Sequence, residues 1–220
     1  MLTKAWDWTK NTDSKWLVPA EDMAFLSECW RDKGFRDLLD LGCGLGRNSV
    51  YMAKKGFSVS AVDLSEDAVR ETAAWAAREG LEIPARVSDM LDLPYPDGAF
   101  DCAIAFNVIQ HTDAVGFRRA IAELRRVILP GGEAFLTILS KENPIYKNAP
   151  DHRRVDGNTV LRSERETEDD VPHFYAGREE LSELFRDWTF LRNPEERTEY
   201  DPARPEKAFS CHWAIRIGRR

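Results

Sequence analysis

The sequence predicts an α/β fold, a parallel, doubly wound sheet with helices on both faces. Three observations predict it. Between residues 36 and 140, short apolar runs of strand length alternate with helical patterns of roughly 10–15 residues. Glycines and a Ser cap mark the joints between them. The chain has 220 residues, 43% hydrophobic and 31% charged, enough for one elaborated domain with a large core and unlike a disordered segment. Right-handed crossovers then set helices on both sides, and ligands of such sheets bind beyond the carboxyl ends of the strands.

The elements follow in order. Residues 1–19 are polar apart from Trp6, Trp8 and Trp16, and end at Pro19. Met23, Phe25, Leu26 and Trp30 have helical spacing, which predicts a helix over 20–33 that Gly34 stops. Asp37-Leu-Leu-Asp-Leu is a short buried strand running into a glycine turn, and 46–55 is a helix closed by Gly56. Phe57, Val59 and Ala61 alternate as a second strand. Ser65 caps the next helix, Glu66 and Asp67 supply its acidic first turn, and Gly80 stops it. A third strand spans 83–87, a loop 91–98, and a fourth strand, buried on both faces, 100–106. An amphipathic helix over 114–128 meets Pro130-Gly131-Gly132, and a fifth strand covers 133–139. Residues 141–176 are polar and rich in Pro, Asn and Asp, and read as a long cap or substrate loop. Leu181, Leu184 and Phe185 predict a helix over 178–187, and 188–191 with 209–217 are expected as a terminal hairpin.

Composition excludes several classes of function. A net charge of −7 opposes broad binding to phosphate backbones. Arg118, Arg119, Arg125 and Arg126 have helical spacing with Glu123 among them, the pattern of a solvated face rather than a nucleic-acid site. No apolar run approaches the roughly 20 residues of a membrane span, and the N-terminus lacks a signal-peptide core, so a cytoplasmic protein is expected. Cys29, Cys43, Cys102 and Cys211 are scattered and form no CxxC pair. They read as reduced thiols, and no metal site is expected.

The chemistry centres on Asp40-Leu41-Gly42-Cys43-Gly44-Leu45-Gly46, between a strand and a helix. Such glycines allow positive φ and close approach of a ligand to bare backbone. A dinucleotide fingerprint would place its third glycine at position 47, which is Arg47. A carboxylate at Asp40 is awkward beside a pyrophosphate but suits a ligand with an amino group and a sulfonium, as in S-adenosyl-L-methionine. Asp63, about 20 residues past the glycines, is placed for ribose hydroxyls, or is a helix cap. Asp89 suits an adenine amino group with Met90 against the ring, or is a plain loop aspartate.

With these residues in view, the chain resembles the class I S-adenosylmethionine-dependent methyltransferases. The landmarks are Leu39-Asp-Leu-Gly-Cys-Gly-Leu-Gly46, Val62-Asp63, Ser88-Asp89, Phe100-Asp-Cys-Ala-Ile104 and Glu123-Leu-Arg-Arg-Val-Ile-Leu-Pro-Gly-Gly132, in order over about residues 36–140. The resemblance implies a Rossmann-like sheet of seven strands, the last antiparallel, in one domain over 1–220. Residues 1–33 would form a Trp-rich lid. Gly46-Arg-Asn-Ser-Val-Tyr-Met-Ala and the segment 209–220 are similar to the tellurite-resistance branch of small-molecule methyltransferases. Cofactor contacts carry onto Asp40, Gly42, Gly44, Asp63, Asp89 and the residues after the fourth strand. With neighbours Cys43, Arg47, Leu64, Met90 and Asn107 they are the candidate cofactor set.

The fourth strand ends Phe106-Asn-Val-Ile-Gln-His111. Asn107 would meet the cofactor's amino group through its carbonyl. His111 would orient an acceptor or take its proton, or is simply hydrogen-bonded before the next helix. His173 lies among aromatics in Val171-Pro-His-Phe-Tyr175, as a substrate lid or as packing on the core. The expected reaction is methyl transfer to a small-molecule acceptor, releasing S-adenosyl-L-homocysteine from a monomer or homodimer. The alternatives are a methyltransferase acting on RNA or protein, a non-catalytic protein that binds the same cofactor, and a nicotinamide-dependent oxidoreductase, which Arg47 and Asp40 oppose.

Overall fold

Strands β1 (Asp37–Leu41), β2 (Ser58–Asp63), β3 (Ala85–Val87), β4 (Phe100–Ala105), β5 (Ile128–Ser140), β6 (Thr159–Arg162), β7 (Val171–Ala176), β8 (Trp188–Phe190), β9 (Glu195–Asp201) and β10 (Arg204–Arg219) form one sheet. Its main path is β3-β2-β1-β4-β5-β10-β8. The structure, a computed structural model, describes residues 4, 6, 8, 14–162, 170–201 and 203–220. Five neighbouring strands, β3 to β5 along the path, are parallel, and β10 runs antiparallel to both β5 and β8. This is the expected seven-stranded, mostly parallel sheet, and the reversed strand is β10, the last in the chain. Three further strands join it: β9 pairs with β10, β7 with β5, and β6 with β7.

Helices α1 (Asp22–Asp32), α2 (Arg47–Lys54) and α3 (Glu66–Arg78) cover one face, and α4 (Ala114–Val127) with the short α6 (Leu181–Leu184) the other. Period-two alternation sorts the strand residues between them. Leu38, Cys102, Ile104 and Phe135 pack with Met23, Leu26, Trp30 and Val50. Leu39, Ala103, Ala105, Ala134 and Leu136 pack with Phe117, Ile121, Leu124 and Phe185. In α4 the buried stripe Phe117, Ala120, Ile121, Leu124 and Val127 keeps helical period, and Asp113 caps the first turn by accepting from the Gly116 N–H at 2.8 Å.

Three expectations change. The polar stretch 141–176 is not one loop: it holds α5 (Pro144–Lys147) and the β6–β7 hairpin, and β7 joins the carboxyl end of β5 through Leu139↔Tyr175 and Ser140↔Ala176. Residues 163–169 of that stretch lie outside the described residues, as do 1–3, 5, 7 and 9–13 of the expected lid. The helix expected over 178–187 is a 3-10 turn over Arg178–Glu180 and then α6. Residues 188–191 and 209–217 do pair antiparallel, but not as a hairpin, because β9 intervenes and is itself the hairpin partner of β10.

The arginines of α4 serve the fold. Arg126 donates to the carbonyls of Leu93 and Tyr95 and pairs with Glu123 at 2.8 Å, while Glu123 also accepts from the Leu93 N–H. Arg119 donates to the Leu91 carbonyl. Together they fasten the loop that follows Asp89 and Met90.

Candidate functional site

At the carboxyl end of β1 the chain turns through Gly42, Gly44 and Gly46 with φ of 71°, 55° and 91°. L side chains rarely adopt such values, and a Cβ at Gly42 would collide with Val108. The turn is held from beneath by β2. The N–H groups of Gly42 and Cys43 donate to the Val62 carbonyl at 2.8 and 3.0 Å. The Asp63 carboxylate accepts from the Gly44 and Ser65 N–H groups, both at 2.9 Å. Burial pushes the Asp63 carboxyl up, and its N–H donors from Ser65, Gly44 and Leu64 oppose that rise.

These elements open onto a cavity of about 340 Å³. Gly42, Cys43, Gly44, Arg47, Asp63, Leu64, Asp89, Met90 and Asn107 all line it, and so do His111 and His173. Asp89 accepts from the Leu91 N–H at 2.9 Å, an Asx-type turn that fixes its own loop. Asn107 sits at φ 55°, a conformation asparagine tolerates. Thr137 on β5 pins it, accepting from its N–H at 2.8 Å and donating to its Oδ1 at 2.9 Å. The Arg47 guanidinium lies over the rings of Trp16 and Phe106, 4.9 and 5.3 Å from their centroids.

Asp40 stands apart from the lining. It is 1% exposed and lies under the turn, where the Ser49 hydroxyl donates to it at 2.5 Å and the Ser49 N–H at the start of α2 also reaches it. Burial raises its carboxyl to about 6, against the opposing pull of Ser49 and of Arg47. The sign follows. With its folded value above the ordinary 3.8, ionised Asp40 costs stability at neutral pH, and the cost vanishes as pH falls from about 6 towards 4. Asp40→Asn is therefore expected to gain stability relative to the parent as pH rises from 4 to 8. The ceiling on that gain is on the order of 3 kcal/mol. Urea melts of both proteins across that range check it, and a constant difference would show that burial does not govern this carboxyl.

The cavity wall also carries aromatic and imidazole rings. Trp6 stacks on His111 at 5.4 Å, and the ring of His173 meets His111 edge-on at 4.8 Å. Burial and the Arg162 guanidinium push His111 down to about 4, so it is neutral above that pH. His173 Nδ1 lies 3.0 Å from the Val171 carbonyl, a contact in which Nδ1–H donates and the carbonyl accepts. His173 sits on a strand and not in a loop. Sequence reasoning missed Gln110, Arg162, Glu199, Phe209, Ser210 and His212 as lining residues. All but Gln110 come from β6, β9 and β10, strands whose place beside the cavity is a matter of long-range pairing. Gln110 lay one residue from a chosen candidate and carried no motif.

Residues 38–132 match the family model of a methyltransferase domain. The chain is 37% identical over 112 residues to an ajmaline N-methyltransferase of Rauvolfia serpentina, covering 50% of this chain and 37% of that one. It is 39% identical over 108 residues to a ubiquinone biosynthesis O-methyltransferase of Caulobacter vibrioides, covering 47% and 41%. The chain thus spans less than half the length of these curated relatives. A solved SAM-dependent methyltransferase of Methanosarcina mazei shares the fold, with a TM-score of 0.70 at 21% identity over 83% of this chain and 92% of that one. Residues 38–132 thus match a methyltransferase domain, and the chain has the fold of a solved S-adenosylmethionine-dependent methyltransferase. The relatives span N- and O-methylation and do not single out the tellurite-resistance branch.

Proposed function

We propose that this chain transfers a methyl group from S-adenosylmethionine to a small-molecule acceptor. The observation that carries the reading is convergence: the glycine turn, Asp63, Asp89 and the end of β4 line the same cavity as His111 and His173. The residues fit the cofactor. Gly44 leaves bare backbone where a Cβ would come within 2.7 Å of the Trp8 ring. The Asp63 carboxylate accepts from two N–H groups and keeps lone pairs for two ribose hydroxyls. Asp89 and Met90 suit the adenine, the Asn107 carbonyl the amino group, and Trp6, Trp8 and Trp16 a sulfonium cation. Asp40 acts through the turn, by fixing α2 against it.

When bound, S-adenosylmethionine supplies an electrophilic methyl group that leaves a neutral thioether on in-line displacement. The chain's share is to hold the acceptor near attack distance and in line, worth on the order of 7–11 kcal/mol in favourable cases. His173 or neutral His111 takes a proton where the acceptor has one to lose. A small acceptor is supported by the net charge of −7, by an arginine face on α4 engaged with the protein's own loops, and by relatives named for methylating small molecules.

The test is a calorimetric titration with S-adenosylmethionine and S-adenosylhomocysteine, with NAD as control. Micromolar-range binding of the first two alone is expected. A folded protein that binds neither, or binds NAD instead, sinks the reading.

A further inference from the structure

Gln110 is the anomaly of the cavity wall. It is 4% exposed, lines the cavity, and its Oε1 has no hydrogen-bond partner. Its backbone already does the structural work: the Gln110 carbonyl accepts from the Phe174 N–H at 2.7 Å, tying the turn after β4 to β7, and from the Thr112 N–H at 2.8 Å. The side-chain amide is not needed for that tie. A buried amide oxygen left without a donor is costly, and a Met of similar length would fill the space without the cost. Two more side-chain polar atoms on this wall share the condition, the indole N–H groups of Trp6 and Trp8. Among the described residues, no other buried and unpartnered side-chain nitrogen or oxygen belongs to the lining.

We propose that Gln110 is a specificity-determining residue for the methyl acceptor. Its Oε1 accepts a hydrogen bond from an N–H or O–H carried on an aromatic ring, while the indole N–H groups supply the complementary donors. The ring class follows from the walls. Trp6 stacks on His111, His111 stands edge-on to His173, and Phe209 lines the same cavity, so the wall is rich in flat rings. A site built to bond a donor rejects the analogue that lacks it, because its own buried group is then left unpaired. This inference rests on the methyl-transfer reading for the identity of the second ligand, but its test is separate.

The experiment titrates the full chain, loaded with S-adenosylhomocysteine, with matched aromatic probes by ligand-observed NMR. Phenol and aniline carry the donor; anisole and N,N-dimethylaniline lack it. Phenol and aniline are expected to bind at least tenfold more tightly than their methylated partners. Gln110→Met is expected to erase the difference, and Gln110→Glu, which keeps an oxygen acceptor, to retain it. Equal binding of phenol and anisole by the parent overturns the proposal, as does a Gln110→Met protein that keeps the discrimination. A tenfold loss of S-adenosylhomocysteine affinity in Gln110→Met also overturns it, by placing Gln110 on the cofactor. If the parent binds no S-adenosylhomocysteine, the methyl-transfer reading falls, and the same probes on the unloaded protein still decide the role of Gln110.

Discussion

Asp63→Ala is expected to lower affinity for S-adenosylhomocysteine by about a hundredfold, the loss of two charge-assisted hydrogen bonds at roughly 1.5 kcal/mol each. The structure gives the substitution two routes to that loss. It removes the acceptor proposed for the ribose hydroxyls. It also takes away the partner of the Gly44 N–H, which the carboxylate holds at 2.9 Å, so the glycine turn loses its tie to β2 on that side. The fold survives, because the Val62 carbonyl still holds Gly42 and Cys43. Asp63→Asn, which keeps one oxygen for one N–H, should fall between the two. Calorimetry on proteins with matched circular dichroism checks the order, and affinity within a factor of two of the parent would remove Asp63 from the site.

Glu133→Ala is expected to lower the unfolding free energy by about 3–5 kcal/mol. Glu133 is 2% exposed on β5 and is the meeting point of three donors. Its Oε2 accepts from Trp30 Nε1 at 2.9 Å and from Arg216 at 2.8 and 3.0 Å, and its Oε1 pairs with Lys33. Burial alone would raise this carboxyl, but Lys33, Arg216 and Trp30 together hold it below the usual carboxylate range. Its contribution is therefore present above the ordinary value of 4.5 and is lost as pH falls through the lower folded one. The alanine variant should show both lower stability at neutral pH and a shallower acid limb in urea melts. Adding Arg216→Met should recover part of the loss, since the unpaired guanidinium is then gone. A variant within about 1 kcal/mol of the parent would mean that water replaces the carboxylate there. Glu133 does not line the cavity, so the folded fraction should bind S-adenosylhomocysteine as the parent does.

What the letters disclose and what they hide divides along sequence distance. The segment from β1 to β5 is legible because each element announces itself locally: Gly34, Gly56 and Gly80 end helices, Ser65 and Asp113 cap them, and the strands between are apolar. The cofactor candidates sit at those joints, and every one except Asp40 lines the cavity. Asp40 lies instead under the turn with Ser49, and a carboxylate beside a glycine turn looks equally apt for a ligand or for the N–H groups at a helix start. Beyond β5 the signals fail. Val171–Ala176 is buried throughout, yet Pro172 and His173 argue against a strand. The β9 segment, Glu-Glu-Arg-Thr-Glu-Tyr-Asp, is too charged to read as one. The contact of Trp6 with His111 joins residues whose meeting depends on the whole fold, and no local pattern encodes it.

The position of β10 also bears on how the protein is made. This strand pairs with β5 through Gly218↔Glu133 to His212↔Leu139, and it carries β8 and β9 on its other side. A ribosome releases β5 long before it releases β10, so throughout that interval the growing chain exposes an open strand edge with Phe135, Leu136 and Ile138 beside it. Such an edge invites pairing with another nascent chain. The β5 edge thus makes the yield of folded protein sensitive to crowding of polysomes and to holdase chaperones. Slower translation after residue 140 would lengthen that exposure.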